Sequence, residues 1–273
     1  MADGLNAATH ALFDYQNNLE QKVRDRTLEL SQEKEKSEKL LRNILPDEIA
    51  YELKLNGRAE PKFYAQASVM FTDFVGFTRI AEALSPAALI EKLDSCFSAF
   101  DKITAKHHLE KLKTIGDAYM CVGGAPVVRP CHALDCALAA LEIRQFMIAE
   151  REKAEQSGVP YWDIRLGIHS GPMVAGVVGE KKFAYDIWGD TVNTAARLES
   201  SGTPGKINIS GSTYTALSAY FDCEHRGKIA AKNKDDMEMY YLHRLKAEYA
   251  TDKDGIVPNA QFWQAYERIY QQV

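Results

Sequence analysis

The chain has 273 residues, 46% of them hydrophobic and 26% charged, enough for one large domain or a medium domain with extensions. Its net charge of −5 argues against the basic surface of a nucleic-acid binder. Five cysteines (Cys96, Cys121, Cys131, Cys136, Cys223) contain no Cys-x-x-Cys pair, which excludes a disulfide frame or a simple zinc site and reads as reduced thiols of a cytoplasmic protein.

Seven histidines show no ligand spacing, and the adjacent His107 and His108 read as a helix end. No stretch approaches the roughly 20 apolar residues of a membrane span, and no secretory signal opens the chain.

In chain order, residues 5–45 carry a helical pattern without Pro or Gly. One heptad frame places Leu5, Leu12, Leu19 and Leu40 at d and Val23, Leu30 and Ile44 at a. Thr9, Gln16, Ser37, Arg26 and Glu33 interrupt that seam. A broken seam with a charged middle suits a two-stranded parallel coiled coil able to shift register. Pro46 ends this helix, and a second, short one leads through Asn56-Gly57 to a linker. The expected domains are a coiled-coil helix over 1–45, a short helix and linker over 46–63, a main domain over 64–245, and a polar tail over 246–273 that ends in a helix.

Within the main domain, SVMFTDF (68–74) reads as a buried strand, and Gly76 opens a helical region continuing through 86–107. KLKTIGDAYMCVGG supplies two strands around a tight turn, and residues 132–156 form a long helix. DIRLGIHSG and MVAGVVG read as two strands, TVNTAARLES (191–200) as a helix, and KINISG, CEHRGKI and EMYYLHR as further strands. The order β-α-β-β-α-β predicts an α/β, ferredoxin-like sandwich extended by extra strands.

In that fold the first strand lies beside the third, so Asp73 at a strand end and Asp117 at a hairpin turn can converge. Two close carboxylates repel unless a cation neutralises them, and paired magnesium ions suit phosphoryl chemistry. Asn193 and Arg197, four apart on one helix, share a face where Arg suits phosphate oxygens and Asn a sugar oxygen. Each feature alone is commonplace: a capping Asp, a turn Asp, a surface Arg.

Together, FTDFVGFT, KTIGDAYM, GIHSG and YDIWGDTVNTAARLES resemble the class III nucleotidyl cyclase catalytic domain over about residues 64–245. LLRNILPDEIAYEL resembles the helical transducer that precedes such domains in signalling cyclases.

The resemblance implies a head-to-tail homodimer with two shared sites and two Mg2+ or Mn2+ ions in each. It assigns the metals to Asp73, Asp117 and the Phe74 carbonyl, and the terminal phosphates to backbone at Gly76, Phe77 and Thr78. From the partner it draws the base-reading pair Lys113 and Asp186, with Asn193, Arg197 and a phosphate-binding lysine, Lys232 or Lys234. Lys113 and Asp186 match adenine, whereas guanylyl cyclases of the family use Glu and typically Cys there. ATP is therefore the expected substrate, by in-line attack of the ribose 3′-oxygen on the α-phosphorus. Where some relatives carry Arg after HSG, this chain has Pro172, leaving phosphate binding to the lysine near 232 and the backbone. Guanylyl cyclase and a silent nucleotide-binding dimerisation module are the alternatives, and an upstream sensor or membrane domain is expected.

Overall fold

Residues 2–179, 183–229 and 237–271 are described by a computed structural model of the chain, which separates into Met1–Arg58 and Ala59–Val273. The first unit holds α1 (Ala2–Arg42) and α2 (Asp47–Asn56). Helix α1 ends shortly before Pro46, whose ring disfavours helical backbone in the residue preceding it. Gly57, at φ 72°, closes α2 by donating its N–H to the Leu53 carbonyl. Along α1, Leu12, Leu19, Val23, Leu30 and Leu40 stand exposed, while Arg26 and Glu29 pair at 2.7 Å.

The second unit is built on β1 (Lys62–Val75), β2 (Leu109–Ile115), β3 (Ala118–Gly123), β4 (Asp163–Val178), β5 (Ala184–Trp188), β6 (Ile207–Ser210), β7 (Phe221–Ile229) and β8 (Met237–Leu245). Its helices are α3 (Phe77–Ala83), α4 (Pro86–Lys106), α5 (His132–Ser157), α6 (Asp190–Ser200), α7 (Gly211–Leu217) and α8 (Ala260–Tyr270). The strands lie in the order β2-β3-β1-β4-β6-β8-β7, with β5 paired to β4 off this path. The first four strands with α4 and α5 make the expected βαββαβ sandwich. Strand β1 runs antiparallel to both β3 and β4.

Burial explains that arrangement. From Ala67 to Thr72 every residue of β1 is buried, the mark of a central strand covered on both faces. On one face, Phe74 stacks on Trp162 at 5.0 Å and lies 6.2 Å from Phe100, which meets Tyr119 edge-on at 5.6 Å. These rings join Met70, Leu138, Leu141, Ile164, Leu166 and Ile168 in the main core. Helix α4 begins at Ser85, whose hydroxyl accepts from Ala88 N–H, with Pro86 next, and ends at His107 as the paired histidines suggested.

Three features differ from expectation. Residues 163–178 form one strand, not two, because Pro172 lies opposite the β-bulge between Tyr64 and Ala67, where the ladder is already interrupted. Strand β5 and helix α7 were not foreseen; both are short and without clear periodicity. The tail is no loose extension: α8 buries Phe262 completely, and Tyr266 donates its hydroxyl to Asp135 Oδ1 at 2.8 Å.

Helix α6 packs on β4 and β1. A Cβ built on Gly167 of β4 would lie 2.2 Å from the Glu199 backbone nitrogen and 2.8 Å from the Ala195 carbonyl oxygen. Both are backbone atoms, so no rotamer relieves the clash. Gly167→Ala is expected to destabilise the unit by about 1–3 kcal/mol, read as a lower midpoint in chemical denaturation. An unchanged midpoint would show that α6 does not seat this closely.

Candidate active site

Strand register brings distant residues together at one end of β1. Thr72 pairs with Tyr119 on β3, and Asp73 pairs with Arg165 on β4. The β2–β3 hairpin turns through Gly116-Asp117 between the paired residues Ile115 and Ala118, with Gly116 at φ 64°. A two-residue hairpin loop with positive φ at its first position requires glycine there and leaves the second side chain free to project. Asp117 therefore meets Asp73.

Electrostatics registers that meeting. Burial first, then the charge of Asp73, pushes the Asp117 carboxyl above the usual carboxylate range. Hydrogen bonds from the backbone N–H groups of Asp117 itself and of Phe74 pull in the opposite direction. Arg165 Nη2 donates to Asp73 Oδ2 at 2.7 Å, and its Nε to Glu199 Oε1 at 2.9 Å. Burial, and next the Asp73 charge, push Glu199 up to about 7, against the pull of Arg165.

Arg165 and Glu199 were missed from sequence, although both lie inside quoted motifs. The available signal was a charged residue between the buried Ile164 and Leu166. Arg165 adds a fixed cation to the site that the Pro172 comparison had left poor in positive charge.

Gly76, at φ 69°, turns the chain from β1 into α3, which begins at Phe77 and has no side-chain cap on its first turn. Phe77 packs against Trp162 at 5.5 Å, so the backbone at Gly76, Phe77 and Thr78 is set beside Phe74.

A second group assembles elsewhere. Lys113 Nζ bonds directly to Asp186 Oδ2, across β2 and β5. Asp186 Oδ1 accepts from the Ile187 N–H at 3.0 Å, which fixes the carboxylate while the lysine is its movable partner. Asn193 is exposed on α6. Arg197 Nη1 is buried and has no hydrogen-bond partner among the described residues. Neither contacts Asp73 or Asp117 through a hydrogen bond or ion pair among the described residues. Lys232 and Lys234 lie outside the described residues.

The acidic end of β1 suits a hard cation. Among the described residues no cluster of three or more His, Cys, Asp or Glu ligands forms. A pair of carboxylates fits magnesium, which takes few protein ligands and keeps water and substrate oxygens in its remaining positions.

Comparison with known proteins agrees with this architecture. Residues 59–244 match the adenylate and guanylate cyclase catalytic domain, and the chain belongs to that family of nucleotidyl cyclases. It is 40% identical to human guanylyl cyclase C over 236 residues, 85% of this chain and 22% of that relative. It thus spans about a fifth of that protein's length. Among solved structures, it is similar to the guanylate cyclase domain of RhGC from Catenaria anguillulae in complex with GTP (34% identity, TM-score 0.63, covering 68% of this chain and 100% of that one). It is also similar to the adenylyl cyclase CyaB from P. aeruginosa (28% identity, TM-score 0.66, covering 69% and 98%). Domains of this family bind nucleotide, function as dimers and use two divalent ions, Mg2+ or Mn2+.

The raised Glu199 makes a pH prediction. Its folded pKa of about 7 exceeds the ordinary 4.5, so the folded state holds its proton more tightly than the unfolded chain does. Its contribution to stability is therefore lost as pH rises from 4.5 through 7. Glu199→Gln removes that loss. In chelator, the unfolding temperature of the variant is expected to fall less than that of the parent across this window. Parallel pH profiles would reject the assignment.

Proposed function

We propose that the chain is an adenylyl cyclase, converting ATP to 3′,5′-cyclic AMP and pyrophosphate in a homodimer with two shared sites. The contact between Lys113 and Asp186 carries the substrate assignment. Held together, an ammonium and a fixed carboxylate offer adenine a donor for N1 and an acceptor for its exocyclic amine. Guanine presents the reverse pattern, a protonated N1 and a carbonyl. A site that leaves buried polar groups unpaired rejects the wrong base strongly.

In this reading one protomer supplies Asp73, Asp117 and the Phe74 carbonyl to hold the divalent ions. The repulsion between the two acids supports that role. When bound, the ions supply Lewis-acid activation of the ribose 3′-hydroxyl and neutralise triphosphate charge. Backbone groups at Gly76, Phe77 and Thr78 receive the terminal phosphates. Arg165, already bonded to Asp73, keeps that carboxylate oriented and adds positive charge beside the phosphates.

The partner protomer supplies Lys113 and Asp186 to the base and Asn193 to the ribose, where it orients the 3′-oxygen in line with the α-phosphorus. Arg197, with its unpaired buried Nη1, donates to the charge that builds on the α-phosphate as pyrophosphate leaves. Lys232, or Lys234 two residues on, binds phosphate.

Two surfaces support pairing. Phe63, Val174 and Trp188 are cross-strand neighbours on β1, β4 and β5, and all three are exposed. An apolar patch of this kind favours a protein partner. In the first unit, the exposed Leu12, Leu19, Val23, Leu30 and Leu40 stripe suits a parallel coiled coil that relays a signal from an upstream sensor or membrane domain.

Guanylyl cyclase is the second reading, favoured by the similarity to human guanylyl cyclase C and to the RhGC domain solved with GTP. Incubation with ATP or GTP and Mg2+ or Mn2+, followed by product identification, decides between them. Cyclic AMP is expected as the dominant product; cyclic GMP in its place overturns the assignment. Exchanging the base-reading pair, Lys113→Glu with Asp186→Cys, is expected to move preference toward GTP. An unmoved preference removes both residues from base recognition.

The shared site has its own test. Asp73→Ala and Arg197→Ala are each expected to lower turnover by about a hundredfold or more. Mixed equally, they should recover about a quarter of the parental rate, the share of sites left intact by random pairing. A silent mixture of folded, dimerising variants would refute the division of labour.

A further inference from the structure

A cavity of about 370 Å³ opens between α4, α5 and the segment leading into β4, on the helix-covered side of the sheet. Leu84, Ala88, Met147, Ala154 and Val159 give it apolar walls. Two of its lining residues hold N–H donors with no acceptor.

Trp162 is 2% exposed, and its indole Nε1 has no hydrogen-bond partner among the described residues. The Nε of Arg151 is likewise buried and unbonded. Glu155 at 3.6 Å and Asp163 at 3.8 Å stay within ion-pair reach of the Arg151 guanidinium but beyond hydrogen-bond distance. A buried donor left without an acceptor costs free energy, and two such donors lining one cavity call for an occupant that brings acceptors.

The charge around the opening selects among acceptors. Lys92, Arg151 and Lys153 line the cavity with one carboxylate, Glu150, which Lys153 binds at 2.6 Å, while Glu155 and Asp163 balance the Arg151 charge from outside the lining. Lys92 is tied to the Pro160 carbonyl and sits 5.0 Å over the Trp162 ring. Lys92 near the indole, two N–H groups without acceptors and hydrocarbon walls together describe an anionic head on an apolar body.

We propose that this cavity binds a small apolar carboxylic acid, its carboxylate accepting from Trp162 Nε1 and Arg151 Nε and its tail lying against Leu84, Met147 and Val159. An amine of the same length would leave both donors unpaired and meet like charge. An alcohol would accept through a single neutral oxygen.

The location gives binding a consequence. Trp162 stacks on Phe74 and packs against Phe77, the residues that flank Gly76 beside Asp73. An occupant that holds the indole also steadies the backbone proposed to receive metal and phosphates. Altered turnover on occupancy rests on the functional reading above; binding itself does not.

Calorimetric titration of the full chain with octanoate, in buffer free of nucleotide and divalent ions, tests the site. One octanoate per chain is expected, bound at least about tenfold more tightly than octanol, with no saturable uptake of octylamine. Trp162→Phe keeps a ring but removes the donor, and Arg151→Met, at a half-exposed side chain, removes the second without touching the core. Each is expected to weaken octanoate about tenfold and octanol by a smaller factor, since a neutral oxygen loses less than a carboxylate. Ala88→Phe, which occupies the apolar wall, should abolish both. Thermal unfolding establishes that all three variants are folded. Absence of saturable octanoate binding overturns the proposal, as does octanol binding equally well or octanoate binding unaltered in the three folded variants. Because no nucleotide is present, these outcomes stand whether or not the chain proves to be an adenylyl cyclase.

Discussion

The structure depends on a proximity that charge alone would forbid. Strand pairing brings Asp117 against Asp73, and the hydrophobic burial of β1 supplies the force that keeps them there. A carboxylate pair in such a place is unfavourable by itself, and the fold maintains it because the surrounding core, from Met70 and Phe74 to Ile164 and Leu166, is fixed by packing rather than by the acids. Arg165 relieves one side of Asp73 and links it to Glu199, so these two carboxylates share a single fixed cation while Asp117 is left without one among the described residues. The electrostatic deficit that remains is what divalent ions are suited to fill.

The remaining polar groups share no hydrogen bond or ion pair with Asp73 or Asp117 among the described residues. Lys113 and Asp186 meet across β2 and β5, while Asn193 and Arg197 occupy successive turns of α6. The close seating of α6 at Gly167 sets the position of those two residues and of Glu199 with one contact. Domains of this family function as dimers, and the proposed shared site assigns the two sets of groups to different protomers.

Much of this was legible in the sequence where signals were local. The buried strand ending at Asp73, the Gly-Asp turn and the Asn193–Arg197 spacing each depend on backbone rules that act over a few residues. The βαββαβ order then implied that the first and third strands adjoin, which made the convergence of the two acids predictable. Arg165 and Glu199 were harder because their role arises from cross-strand register and helix seating, neither of which is written in neighbouring residues. Pro172 misled for the same reason: it ends a strand unless the partner strand carries a bulge at that level. The packed tail was hidden too, since two buried residues, Phe262 and Tyr266, among polar neighbours resemble any exposed amphipathic helix.

The bond between Lys113 and Asp186 already satisfies both groups within the single chain. In the proposed reading, a nucleobase enters against a cation and an anion that already satisfy one another, and it recovers that loss only by engaging both. A ligand able to engage one partner leaves the other stranded, so partial matches are penalised more than their single missing contact suggests. The separation is common to every nucleobase and cancels from the ratio of two affinities. In that reading the bond lowers the affinity of every base alike, and selectivity rests on how completely each base replaces it.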